Sequence, residues 1–478
     1  MKRNKVIIYS LLAFIGVLSS CTTGLDDLRK KPEGIDNPGA SSFLNNSLYQ
    51  AVTHIQRQAH TINTQLAQVA VFRELQGNNQ IHRYQISAGT SNAMWATPYR
   101  QLLNFKEMRR LAEEKKDANY TAIALTLESW LISNITDVYG DVPYSDALKG
   151  MEGNTTPKFD TQQQIYDTIF VNLERANSLY DLTKPLTGDD LLYNANVAAN
   201  LTKWKRFTNA LTLRLLMRVQ GKGAEYQDKL RDFLANPTKY PLMRNNDDGA
   251  TFFYTNVTPF VNAFYDVRDL SFNGSIKFSH SFIGKLASTN DPRLPLWATT
   301  VGSGYVGMPI GYPAADPAYR TGSYSTYILD LKRSKYFGDI MQYSEQQFLL
   351  SEAVVRGLMV GNGKTYYDDA VTSALAYWGI TTNTSFLLNP EVSYNGTVER
   401  IMDQKYVALF GNGFQQWHEI RRTGYPALVL GEDMHNDGKH PARLPYPASV
   451  LLYNKTNYDA VVNRMGGDNL NVKVWWMN

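Results

Sequence analysis

Apolar residues recur at three- and four-residue spacing in seven segments of this chain: 95–111, 120–139, 162–179, 204–219, 343–360, 366–378 and 398–410. That period commits each segment to an amphipathic helix, so the fold class expected is mainly α. The connections set how the helices pair. Gly361-Asn362-Gly363 leaves room only for a tight turn between two helical segments, and the stretch joining 95–116 to 120–139 is equally short. Each pair should fold back as an antiparallel hairpin. Residues 244–338 break the pattern. Glycine, proline and aromatic side chains crowd there, among them Phe252, Phe253, Tyr254, Phe264, Tyr265, Trp297, Tyr305, Tyr312, Tyr319, Tyr324 and Tyr327. An irregular, ring-rich stretch on a helical scaffold is where a binding surface is expected.

The first twenty residues have a different purpose. Lys2, Arg3 and Lys5 precede an apolar run from Val6 to Leu18 and then Ser19-Ser20, the layout of a signal peptide. The run is shorter than the ~20 apolar residues a spanning helix needs. Leu18-Ser19-Ser20-Cys21 resembles the bacterial lipobox, whose cysteine is acylated and becomes the mature N-terminus. Cys21 is the only cysteine, so no disulfide forms within the chain and stability must come from the core. Acyl chains contribute ~0.8 kcal/mol per buried CH2, and two chains hold stably where one does not. Residues 21–41 are polar and punctuated by glycine and proline, as a tether would be; within them Asp26 and Asp27 resemble the acidic residues that lipoproteins of this kind often carry just after the cysteine as part of a surface-export signal. Residues 42–478 are expected to form one body, with the irregular subregion inserted in it.

Without residues 1–20 the chain carries 45 basic and 44 acidic residues, a formal charge of +1. Nucleic-acid binding calls for a basic face or stripe, and none is present. Arg109, Arg110, Lys115 and Lys116 alternate with Glu107, Glu113 and Glu114 at helical spacing, which reads as a solvated helix face. Catalytic patterns are also missing. The seven histidines, His54, His60, His82, His280, His418, His435 and His440, form no H-E-x-x-H, and no cysteine joins them as a zinc ligand. The segment GLMVGNGKT (357–365) has five residues rather than four between Gly357 and the Gly-Lys pair, and it follows a helix instead of a strand, so it does not read as a phosphate loop. There is no G-x-S-x-G elbow. The expectation is a protein without enzyme activity, metal or cofactor.

Longer strings carry a more specific resemblance. TDVYGDVPYSDAL (136–148) is similar to a signature of SusD-like (SusD/RagB) nutrient-binding outer-membrane lipoproteins. The resemblance continues through Asn209-Ala210-Leu211 to Arg218, Asp291-Pro292-Arg293-Leu294, FLLSEAVVRG (348–357), QKYVALFGNGFQQWHEIRRTGYP (404–426), Arg443-Leu444-Pro445-Tyr446-Pro447, Gly466-Gly467-Asp468-Asn469 and Val474-Trp475-Trp476. These strings read chiefly as scaffold. Gly140 permits a sharp exit from a helix and Pro143 forces Val142 to be extended, while Trp417 and Arg421, at i and i+4, place a guanidinium beside an indole.

The resemblance implies a SusD-like fold with divergent tetratricopeptide-like hairpins, an outer-membrane location facing the cell exterior, and a SusC-type TonB-dependent transporter as partner. It further implies capture of an oligosaccharide, delivered into the transporter. Oligopeptides, taken by some RagB-like relatives, are the second ligand class, and a surface glycosidase or peptidase is a third reading. Aromatic rings suit sugars because a ring accepts the CH face while neighbouring polar groups bond the hydroxyls. The candidate ligand contacts are Trp95, in a region that approaches the ligand face in similar proteins, and Tyr254, Tyr265, Trp297, Tyr312 and Tyr324, chosen from the irregular subregion.

Overall fold

The computed structural model describes residues 38–73, 77, 79–255, 257–313, 316–333, 335–381 and 384–477, nearly all within the unit Ala40–Asn478. The signal-peptide stretch, Cys21 and most of the tether lie outside the described residues. The fold is mainly helical, and the principal helices are α1 (Ser41–Thr61), α2 (Ala96–Glu114), α3 (Ala118–Tyr139), α4 (Gln162–Leu179), α5 (Ala198–Val219) and α6 (Ala224–Ala235). They continue with α7 (His280–Ser288), α8 (Tyr343–Val355), α9 (Gly363–Tyr377), α10 (Val398–Ala408), α11 (Gln415–Thr423) and α12 (Lys455–Met465).

Local chemistry sets the ends of these helices. Asp117 accepts from Tyr120 N at 3.0 Å and starts α3 with only three residues, 115–117, separating the two helices, which closes the first hairpin. Thr161 and Gln164 form a reciprocal capping box at the start of α4. In the second hairpin, α8 ends at Val355 because Gly357 turns left-handed at φ +68°, and Asn362 accepts from Lys364 N and Thr365 N to open α9. The helix α3 is buried along nearly its whole length and packs between α2 and α4; a helix apolar all round belongs in the middle of a bundle.

Two short antiparallel pairs cross-link the helices. β1 (Ala70–Phe72) pairs with β3 (Ile276–Phe278) in the register Ala70↔Phe278, Val71↔Lys277, Phe72↔Ile276. β2 (Ala250–Thr251) pairs with β4 (Asp339–Met341) through a register shift. The irregular stretch 244–338 therefore holds β2, β3 and α7, and it supplies much of the core. Phe252, Tyr254, Phe264, Phe272, Phe278, Trp297 and Tyr327 are all buried in the same cluster as the helices.

Candidate ligand-binding site

A turn just before β1 gathers the walls of one cleft. Gln68, buried and at φ +57°, holds Val429 at both ends: its Nε2 donates to Val429 O at 2.6 Å and its Oε1 accepts from Val429 N at 3.1 Å. The Gln68 carbonyl in turn accepts from Ser279 Oγ. The chain at 308–312 is tied to the same place, with Met308 N donating to Phe278 O and His280 N to Met308 O, each at 2.8 Å. Segment 428–434 then crosses 310–312, where Asp433 N donates to Gly311 O at 2.9 Å. That crossing requires glycine. A Cβ on Gly431 would sit 2.0 Å from Ile310 O, and Gly311 adopts φ +60°. We expect Gly431→Ala to force the two segments apart at a cost of about 1–3 kcal/mol, read as a lowered denaturation midpoint.

Above this crossing lies a cleft of about 580 Å³, lined by His280, Ser281, Pro309, Ile310, Tyr312, Tyr319, Val429, Leu430, Gly431 and Glu432. Tyr312 is part of the wall itself. It is 1% exposed, its hydroxyl donates to Arg73 O at 2.6 Å, and its ring lies between His82, at 4.9 Å and 13°, and Tyr319, at 5.6 Å and 38°. Tyr319 is half-buried and stands on a single turn (Pro317–Thr321) that Asp316 caps through Ala318 N at 2.8 Å. Tyr324 is half-buried beside the same Val71–Met308–Ile310–Tyr312 cluster. Burial, with the Arg83 charge as a smaller contribution, lowers the His82 pKa to about 3, so the ring is neutral. Its Nδ1 can then accept from Gly311 N at 3.3 Å, which puts the proton on Nε2. Burial also raises the Tyr312 phenol to about 12, so neither wall group is charged at neutral pH. The lining combines rings and aliphatic side chains with an imidazole, a hydroxyl and one carboxylate. Such a surface can hold a partly apolar, hydroxyl-bearing molecule.

The structure distributes the candidate contacts widely. Tyr312 lines this cleft as a buried wall, and Tyr324 packs against the same Val71–Met308–Ile310–Tyr312 cluster without being part of the lining. Trp95 immediately precedes α2, half-buried among Tyr99, Tyr139, Phe159 and Tyr446, with the Tyr99 and Tyr139 rings at 5.1 and 5.2 Å. Trp297 is 0% exposed, with Phe410 stacked at 4.3 Å and Trp378 edge-on at 5.2 Å; its ring faces are taken up by the protein. Tyr254 is buried under a different cleft and donates its hydroxyl to Phe337 O at 2.9 Å. Tyr265 is exposed and away from both linings. Sequence reasoning missed Tyr319 and His82 as site residues. Asp316-Pro317, a helix-start signal just before an aromatic, marks Tyr319 in the sequence; nothing local marks His82.

The signature strings meet in the core, away from the cleft. Asp137 accepts from Tyr166 Oη at 2.6 Å, from Trp476 Nε1 at 2.7 Å and from Arg218 Nη1. Arg218 also reaches Gln415 Oε1 at 2.7 Å and Glu419 at 3.5 Å. Glu419 pairs with Lys405 at 2.9 Å and Arg422 at 2.6 Å, and Arg422 continues to Glu352 at 2.6 Å. Burial raises the Glu419 pKa, but the charges of Arg422, Lys405 and Arg218 outweigh it and hold the carboxyl well below its usual range. Arg421 lies over the Trp417 ring at 3.7 Å, while Arg422 points the other way into these carboxylates.

A mainly helical scaffold thus fixes an open, ring-lined cleft through the Gln68 clamp and the glycine crossing. The family model described as "SusD-like, starch-binding associating with outer membrane" matches residues 32–447, and the chain belongs to this SusD-like family of nutrient- and glycan-binding proteins. Solved structures agree. A chitin-binding protein is 26% identical, with 92% of this chain and 100% of that one covered at a TM-score of 0.77. A chitin-binding SusD homologue from Flavobacterium johnsoniae is 19% identical, covering 91% and 98% at 0.79. A SusD-like protein from Bacteroides thetaiotaomicron is 21% identical, covering 92% and 98% at 0.79. No curated protein matches the sequence. Among the described residues, no helix is long and apolar enough to cross a membrane.

Proposed function

We propose that this chain is a cell-surface lipoprotein that captures oligosaccharides in the Tyr312–Tyr319 cleft and passes them to a SusC-type TonB-dependent outer-membrane transporter. In this reading residues 1–20 direct export, Cys21 carries the lipid, and 21–41 tether the body. The observation that carries it is the cleft: Tyr319 offers a partly open ring beside the buried Tyr312 wall, and the polar side chains of His280, Ser281 and Glu432 line the same cleft. The chemistry is binding without bond cleavage. The family's description and the chitin-binding relative at 26% identity favour a glycan over a peptide.

Calorimetric titration of the protein lacking residues 1–21 tests this, against oligosaccharides and against mixed oligopeptides. We expect saturable heat with one glycan class, no product formation, and roughly tenfold weaker binding in Tyr319→Ala, equivalent to ~1.4 kcal/mol. Heat with peptides alone would transfer the cleft to oligopeptides.

A further inference from the structure

A second cleft, of about 530 Å³, opens between residues 190–194, Lys203 on α5, and the stretch 246–255. It shares no lining residue with the Tyr319 cleft. Its size falls within the ~300–1,000 Å³ of small-molecule sites.

Two buried carboxylates brace its walls, Asp190 within the lining and Asp248 outside it. Asp190 accepts from Trp204 Nε1 at 2.8 Å, Leu192 N at 2.9 Å and Ala195 N at 3.2 Å, which fixes the 190–195 turn. Asp248 takes Arg206 Nη1 at 3.2 Å on both oxygens and Arg244 N at 2.9 Å. The Tyr193 hydroxyl donates to Asp248 O at 3.0 Å and joins the two walls. Tyr254 forms the floor, held by its bond to Phe337 O. The cleft is therefore preorganised, which lowers the ordering cost of binding.

The groups left facing solvent differ from those in the walls. Phe253 is 48% exposed, although Phe252 and Tyr254 on either side of it are buried in the core. Lys203 and Asp247 line the cleft with no side-chain partner among the described residues. An apolar ligand would strip water from both charges without replacing it. A polyanion would meet Asp247. A neutral, hydroxyl-rich ring answers all three groups, its CH face on Phe253 and its hydroxyls accepting from Lys203 and donating to Asp247.

We propose that this cleft is a second saccharide-binding site for a neutral glycosyl unit, with Phe253 as platform and Lys203 and Asp247 as the polar contacts. The choice of ligand class rests on the oligosaccharide reading of the Tyr319 cleft; the existence of the site does not. Two separate sites on one body would raise the retention of a glycan long enough to reach both.

The test is calorimetric titration of the full lipoprotein in detergent with chitohexaose, maltohexaose, xylohexaose and mannohexaose. Wild type, Phe253→Ala, Lys203→Met and Tyr319→Ala are compared. We expect two equivalents of the binding sugar on wild type, one on Phe253→Ala, at least fivefold weakening of the second site in Lys203→Met, and in Tyr319→Ala one equivalent at wild-type affinity with the other about tenfold weaker. Phe253 is exposed, so Phe253→Ala should keep the wild-type melting curve. A stoichiometry of one on wild type that Phe253→Ala leaves unchanged overturns the second site and leaves the first standing. Binding that survives Tyr319→Ala and vanishes in Phe253→Ala upholds it while sinking the first. No heat from any of the four sugars overturns it.

Discussion

Replacing Asp137 by alanine is expected to destabilise the fold by about 3–5 kcal/mol, the cost of stranding one partner of a buried ion pair. Asp137 is fully buried and serves three donors, Arg218, Tyr166 and Trp476. Its loss leaves the Arg218 guanidinium facing Gln415 and a more distant Glu419, and leaves the Tyr166 hydroxyl and the Trp476 indole N–H without their acceptor. Asp137→Asn keeps an oxygen for one or two of these donors and should cost less. Equilibrium urea unfolding separates the three proteins, in the order wild type, Asp137→Asn, Asp137→Ala. An Asp137→Ala protein with the wild-type midpoint would contradict the role given to the signature string. The same network joins α3, α5, α8, α10 and α11, so we expect its loss to lower cooperativity as well as the midpoint.

Acid should weaken the fold well above the range where carboxylates titrate. Burial lowers His82 to about 3 and, against an opposing backbone hydrogen bond in each, His60 and His440 to about 4, from an ordinary 6.5. The unfolded chain therefore binds protons that the folded one refuses. Stability from these rings is fully present above pH 6.5 and is lost as pH falls towards the folded values. At 1.36 kcal/mol per unit, each ring costs roughly 2 kcal/mol between pH 7.5 and pH 5. Urea midpoints at the two pH values should differ accordingly, and His82→Gln, which preserves an acceptor for Gly311 N, should narrow the difference. Equal midpoints would show that these rings take up protons in the folded state.

The elements legible in the sequence are those set by local chemistry. α4 spans the residues its period marks, because Thr161-x-x-Gln164 caps it where the apolar stripe begins. α5 starts six residues before Trp204, since Ala198 to Lys203 extend the helix with only one buried apolar side chain, Leu201. α7 escapes the period because nine residues offer only Phe282, Ile283 and Leu286 to the core. The cleft was harder to read. His82, Tyr312 and Val429 are far apart in the chain and are joined by a glutamine clamp and a glycine crossing, which no local pattern announces. Aromatic content could not separate Trp297 from Tyr319 either. Both follow proline-marked turns, but Trp297 is packed against Phe410 while Tyr319 stands on a capped turn at the rim.

The most direct measurement of the central claim is a crystal structure of the protein with the oligosaccharide that gives saturable heat. The account predicts a sugar ring lying against Tyr319 at van der Waals distance, with hydroxyls bonded to Glu432, Ser281 or His280. A well-ordered sugar bound only away from the Tyr312–Tyr319 wall would contradict it.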